Sequence, residues 1–141
     1  MQEGVLEEHN RHLQEKYARM RSCEVRHEFF GPKDADLLII AYGSVARLSM
    51  EVVNKLSEKG VKAGLLRPIS LWPFPSAAIK EQVGRVKSVL VVEMSAGQML
   101  EDVRLAVGGK VPVHFYGRLG GGVPAPAEIM EKIESLLKIC E

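Results

Sequence analysis

At 141 residues, with 46% apolar and 26% charged content, the chain is sized for one domain with a core large enough to fold alone. A formal net charge of +1, with no long lysine or arginine tract, argues against nucleic acid or an anionic membrane as a partner. No run approaches the roughly 20 apolar residues that span a bilayer, and the polar start Met1-Gln2-Glu3-Gly4 lacks an apolar signal core, so a cytoplasmic location is expected.

Residues 5–22 read as a helix, because Leu6, Leu13, Tyr17 and Met20 trace one apolar stripe while Glu7, Glu8, Arg11, Glu15, Lys16 and Arg19 occupy the other faces. Such a helix is marginal alone, so the stripe is expected to pack on the main body or on a neighbouring chain. Val25, His27 and Phe29 then alternate with Glu24, Arg26 and Glu28, the period of a half-exposed strand, and Phe30-Gly31-Pro32 ends it. Residues 1–33 therefore form a lead-in of helix and strand, and residues 34–141 the α/β domain.

Four short apolar runs organise that domain: Leu37–Tyr42, Val61–Leu66, Val89–Val92 and Val113–Tyr116, with helical patterns between them. The first is apolar on both strand faces, as an interior parallel strand requires. Ser44 is placed to cap the helix that follows, which buries Val45, Leu48, Val52 and Leu56 and ends at Gly60 in a left-handed conformation. Pro68 stops the second strand. The loop after it is stiffened by three prolines within eight positions and carries Trp72 and Phe74 as large apolar anchors, for the domain's own surface or for a partner. A helix starts at Pro75 or Ser76 with Ile79 and Val83 inward. The third strand ends in Glu93. Met99, Leu100, Val103, Ala106 and Val107 mark the next helix, which Gly108-Gly109 ends. Pro112 marks the fourth strand as an edge strand or marks its start, Gly117 to Pro126 form a glycine-rich loop, and the last helix uses Ile129, Ile133, Leu136 and Leu137.

Chemistry is less legible than fold. Glu93 follows a buried strand and precedes a small-residue turn and a helix, so it is expected at the rim of the sheet, where the helix amides can hold its charge. Arg67, at another strand end, is a candidate ion-pair partner for it. Gly120-Gly121-Gly122 can expose amides to an anion with help from Arg118, but the loop is neither a P-loop nor GxGxxG after the first strand, and close interdomain packing is the stronger reading. Gly43-Ser44 is not the nucleophile elbow, and His114 lies within a strand run. His9, His12 and His27 lack the cysteines or carboxylates that would complete a zinc site. Cys23 and Cys140 form no CxxC and read as free thiols in a reducing compartment. No catalytic, cofactor-binding or metal-binding residue is assigned.

Taken together, Ala41-Tyr42-Gly43-Ser44-Val45-Ala46-Arg47, Leu65-Leu66-Arg67-Pro68-Ile69-Ser70-Leu71-Trp72-Pro73-Phe74-Pro75, Val92-Glu93-Met94-Ser95-Ala96-Gly97-Gln98-Met99 and Phe115-Tyr116-Gly117-Arg118-Leu119-Gly120-Gly121 carry a resemblance. From about Leu6 to Leu137 the chain resembles the carboxyl-terminal region of the alpha subunit of 2-oxoacid:ferredoxin oxidoreductases, of the 2-oxoglutarate and ketoisovalerate type. The family often carries Asn where this chain has Ser95.

The resemblance implies a transketolase carboxyl-terminal-like fold: a mostly parallel five-stranded α/β sheet with helices on both faces, and one edge strand, 24–30 or 112–116, running antiparallel. It implies, for the full complex, oxidative decarboxylation of a 2-oxoacid to an acyl-coenzyme A with reduction of ferredoxin. That chemistry uses thiamine diphosphate, Mg, iron–sulfur clusters and coenzyme A. The thiamine diphosphate domains of the alpha and beta subunits correspond to nothing here, and two cysteines cannot hold a four-cysteine cluster. The expected role is thus structural: a separate subunit or a fragment that docks on the remaining alpha-subunit domains, the beta subunit and the iron–sulfur subunit. Isolated, it is expected to be inactive and able to form a homodimer. The proposed contact residues are Arg67, Trp72, Phe74, Glu93, Gln98, Arg118, Gly120 and Gly121. The competing class is a stand-alone α/β module for a small anion or nucleotide.

Overall fold

Leu37 to Ala41 have no exposed surface at all, and the architecture is the means of covering them. The computed structural model describes residues 4–139. In chain order they form α1 (Val5–Cys23), β1 (His27–Phe30), β2 (Leu37–Ala41), α2 (Gly43–Glu58), β3 (Ala63–Pro68), α3 (Ser76–Val83), β4 (Ser88–Glu93), α4 (Gln98–Val107), β5 (Val113–Gly117) and α5 (Pro126–Ile139).

The sheet order is β1-β3-β2-β4-β5, with β2, β3, β4 and β5 parallel and β1 antiparallel to β3. The expected five-stranded, mostly parallel sheet is thus present, and of the two candidate edge strands it is β1 that runs antiparallel. The lead-in strand is an edge strand of the sheet.

Alternation along β2 divides the core in two. Leu37, Ile39 and Ala41 pack with α2 and α5 through Val45, Val52, Leu56, Ile129 and Ile133. Leu38 and Ile40 face the other way and pack with Ile79 and Val83 of α3 and with Met99, Leu100 and Val103 of α4. The chain leaves β2 by α2 toward β3, then returns by α3 to β4 on the other side of β2. Right-handed crossovers in opposite directions put the helices on opposite faces. The reversal leaves a switch point between the carboxyl ends of β2 and β4.

Local signals position the boundaries well. Gly60 (φ 78°) follows the end of α2, and Gly108 (φ 61°) caps α4. Pro75 caps α3 and Pro68 is the last residue of β3. One expectation fails: α2 begins at Gly43, its cap is Tyr42, and no side chain caps it, so Ser44 lies inside the first turn. Gly43 takes a left-handed φ of 59° at the strand exit and lets the helix start a residue early.

Of α1's residues none is buried. Its stripe meets the body at Trp72: Tyr17 stands edge-on to the indole at 5.5 Å between centroids, and the Arg21 guanidinium lies 6.0 Å from the same ring. Trp72 therefore packs within its own chain, yet half of it (51%) still faces solvent. Ser70 fixes the loop below: its hydroxyl accepts from the Arg26 amide at 2.9 Å and donates to the Pro73 carbonyl at 2.9 Å. Cys23 is an exposed free thiol, and Cys140 lies outside the described residues.

Two outcomes are expected. Trp72→Ala removes the aromatic anchor of α1, so hydrogen exchange should speed along α1 while β2 and β4 stay protected. His114 in β5 is held below its ordinary value of 6.5, first by burial and then by Lys132. On acidification the unfolded chain takes up this proton before the native one, so native stability is lost as pH falls below about 6.5. Denaturant titrations at several pH values should show a shallower decline in His114→Gln.

Candidate functional site

The parallel strands deliver four chain segments to the carboxyl edge of the sheet: 42–44 after β2, 67–75 after β3, 93–98 after β4 and 117–124 after β5. This edge holds the residues singled out from the sequence, and each of its prominent charges already has a partner within the chain.

Glu93 is the best-held of them. It is fully buried, contrary to the expected exposure at the rim. Its Oε2 accepts hydrogen bonds from the Ser95 hydroxyl at 2.6 Å and the Met99 amide at 3.1 Å, and its Oε1 accepts from the Leu100 amide at 2.9 Å. The side chain thus folds back under the 94–97 turn and satisfies the first free amides of α4. The side chain thereby supplies the acceptors that the start of a helix lacks within its own backbone. Gly97 (φ 100°) makes that turn possible. The Glu93 carbonyl accepts from the Arg118 amide at 3.1 Å, which ties the β4 exit to the β5 loop. Gly117 permits the close approach: a Cβ there would lie 2.7 Å from the Ser95 carbonyl oxygen and 2.5 Å from the Phe115 ring.

Arg67 does not reach Glu93, because β2 lies between β3 and β4. It pairs instead with Glu28, directly opposite it on β1, at 3.0 Å from Nη1 to Oε2. Its Nε is buried without a partner. Phe74 is half-buried against the α3–α4 side of the core.

The glycine-rich loop is exposed, with Gly120 (φ 63°) and Gly121 (φ 80°) left-handed. Arg118, the helper expected for an anion, is bound to Glu128 at 2.6 Å. Glu128 also accepts from the Ala125 amide at 2.8 Å, the return half of a capping box, and this bond is the chief reason its carboxyl is held below the ordinary range. Tyr116 shares the carboxylate, and its phenol is pushed up, first by burial and then by Glu128. The chain's own carboxylate thus engages the arginine expected to help hold an anion, while the Gly122 amide donates to the Leu119 carbonyl at 3.1 Å. Pro126 at the first helical position with an acid two residues later was a readable sign of this cap.

The crevices at the carboxyl edge differ in size. The one at the β2/β4 switch point, lined by Tyr42, Gly43, Ser44, Val45 and Met94, is about 100 Å³, against the about 300–1,000 Å³ usual for a small-molecule site. A more open groove of about 380 Å³ runs under α1 between Arg21, Trp72, Phe74 and Asp102. At the opposite edge a crevice of about 290 Å³ lies beside Lys62 and Lys87, each ion-paired, to Asp34 and Asp36. Among the described residues no group of three or more His, Cys, Asp or Glu could hold a metal ion. With Cys23 the one cysteine among the described residues, these residues do not supply the four thiolates of an iron–sulfur cluster.

No described helix is long and apolar enough to cross a membrane. The ketoisovalerate oxidoreductase subunit VorB of Methanothermobacter thermautotrophicus is 42% identical over 131 residues, 93% of this chain and 37% of that protein. The 2-oxoglutarate synthase subunit KorA of Methanothermobacter marburgensis is 36% identical over 71% of this chain and 27% of its own length. The chain thus spans 27% to 37% of the length of these two curated relatives. Among solved structures, the 2-oxoglutarate:ferredoxin oxidoreductase of Magnetococcus marinus, with 2-oxoglutarate, coenzyme A and succinyl-CoA bound, superposes with a TM-score of 0.70 at 28% identity, over 78% of this chain and 19% of that one. A split-gene transketolase gives a TM-score of 0.68 at 17% identity, over 80% of this chain and 41% of that one, a likeness of fold. The model of pyruvate:ferredoxin oxidoreductase core domain II matches residues 35–129, from the approach to β2 to the first turn of α5, and with that span of sheet and helices the chain belongs to this family.

Proposed function

We propose that this chain supplies an assembly domain of a 2-oxoacid:ferredoxin oxidoreductase. The whole complex would oxidise a 2-oxoacid with release of carbon dioxide, pass two electrons to ferredoxin and leave the acyl group on coenzyme A. Thiamine diphosphate, magnesium and iron–sulfur clusters would be carried by the remaining alpha-type polypeptide, the beta subunit and an iron–sulfur subunit, and this chain would reside with them in the cytoplasm. Residues 1–33 would serve as its lead-in and 34–141 as its α/β domain.

The observation that carries this reading is where the chain leaves large apolar side chains uncovered. Ile69, Leu71, Trp72, Met94, Leu119 and Val123 are all exposed, and all sit in the loops at the carboxyl edge. Apolar exposure gathered on one edge is the mark of a contact surface. On this reading Trp72, Gln98, Arg118, Gly120 and Gly121 meet the partner directly. Arg67 and Phe74 support the loop behind Trp72, and Glu93 sets the turn that presents Met94 and Gln98.

Two measurements test it. Co-purification with the remaining alpha-type and beta-type polypeptides of the same cell should give a stable complex. Its 2-oxoacid- and coenzyme A-dependent reduction of an electron acceptor should need this chain, which alone should turn over nothing. Leu119→Asp should weaken assembly, whereas Leu105→Asp on the exposed face of α4 should not; the reverse ranking would move the contact surface elsewhere. Glu93→Gln sets an amide donor against a helix amide and should cost about 2–3 kcal/mol of stability in urea titrations. Lost turnover with unchanged stability would instead make Glu93 a chemical participant.

A further inference from the structure

β5 is the last strand of the sheet, paired with β4 on one side and with no described strand on the other. Its ladder has a definite phase. The Pro112 carbonyl accepts from the Val89 amide at 2.9 Å, and the Arg118 amide donates to the Glu93 carbonyl at 3.1 Å. In a parallel ladder alternate residues turn both backbone groups toward the same neighbour, so Pro112, His114, Tyr116 and Arg118 face β4. The N–H and C=O of Val113, Phe115 and Gly117 therefore point away from the sheet, along a strand that is half-buried at every position.

Sheet edges are ordinarily blunted against pairing by charged side chains, an internal proline or a bulge. The opposite edge follows that rule: β1 is four residues long, carries Glu28 and is preceded by Glu24 and Arg26. β5 has none of these devices. Its sequence, Val-His-Phe-Tyr-Gly, holds no carboxylate, lysine or arginine, and its register against β4 runs unbroken from Val113 to Gly117. Burial holds His114 below its ordinary value, so it adds no charge near neutral pH.

The order of these residues fits one occupant. Turned end for end about Phe115, the strand sets Val113 opposite Gly117, His114 opposite Tyr116 and Phe115 opposite itself. The residues whose backbone points outward then meet as hydrogen-bonded pairs, in which each N–H finds a C=O. No like charges face each other, and aromatic pairs fall on both faces: Phe115 with Phe115 on the α3–α4 side, His114 with Tyr116 on the α5 side. A surface that complements itself under twofold rotation is what an isologous dimer requires.

We propose that the free edge of β5 is a docking surface for a second copy of this chain, joined antiparallel through Val113, Phe115 and Gly117 into one sheet running across both copies. The contact is separate from the carboxyl-edge loops and does not depend on the assembly role proposed above. A seam one strand wide is small beside a standard protein interface, so the dimer is concentration-dependent.

Sedimentation equilibrium and residue-resolved hydrogen exchange on the full chain, from about 10 μM to about 1 mM, test the seam. The chain should pass from monomer to dimer over that range. The Val113, Phe115 and Gly117 amides should then slow at least about tenfold, while those of His114 and Tyr116, already bonded to β4, should change little. Val113→Pro removes an outward N–H without touching the β4 ladder, and His114→Glu places a carboxylate in the seam. Each should weaken dimerisation at least about tenfold with an unchanged far-ultraviolet spectrum; should either variant not fold, the exchange pattern of the wild type decides alone. A monomer at every concentration overturns the proposal. So does a dimer with unchanged exchange at 113, 115 and 117, or undiminished dimerisation by both folded variants; loss of that dimer with Leu119→Asp would put the contact at the carboxyl edge. Protection of those amides only on mixing with the alpha-type polypeptide would make the occupant a strand of that polypeptide and overturn the second copy.

Discussion

A strand with no solvent face dictates the plan of this molecule. Leu37 to Ala41 are apolar at every position, so the period-2 alternation of a strand sends bulky side chains to both sides of the sheet. One layer of helices cannot cover both. The chain meets this by winding outward from β2 in two directions, placing α2 and α5 on one face and α3 and α4 on the other. Strand order, crossover handedness and the reversal between β2 and β4 are consequences of that covering.

The same winding gathers the exits of the parallel strands at one edge, the usual place for ligands in open α/β sheets. Here the electrostatics of the edge are closed within the chain. Glu93 is saturated by the turn and helix it supports, and the charges of Arg67 and Arg118 are paired with Glu28 and Glu128, which leaves the buried Arg67 Nε as the one unpartnered donor among these groups. A reactive site keeps charge or hydrogen-bonding capacity available for substrate. This edge offers apolar side chains on a rigid frame, which suits contact with another folded surface, where little conformational entropy is lost on docking.

How much of this the sequence disclosed follows from the range of each interaction. Helices and strands came from periodicities within ten residues, and their ends from Gly60, Gly108, Pro68 and Pro75, all local rules. The partner of Arg67 was not local. It depends on β1 pairing beside β3 and on β2 intervening before β4, and no pattern around residue 67 carries strand order. Glu93 was correctly placed at a strand end beside helix amides, but its direction turned on a rotamer, inward under Gly97 instead of outward to the rim. Ser44 failed because the left-handed Gly43 advanced the helix by one residue. Trp72 was legible as an anchor, whereas its contact with Tyr17, fifty-five positions earlier, was not.

Gly117 has a wider consequence. With the Ser95 carbonyl and the Phe115 ring both inside the reach of a single methyl, and with the Arg118 amide bonded to the Glu93 carbonyl, the β4 and β5 loops are locked face to face. Neither can swing without the other. A displacement of the 117–124 loop is therefore passed through the Arg118–Glu93 hydrogen bond to β4, the strand that pairs directly with the central β2.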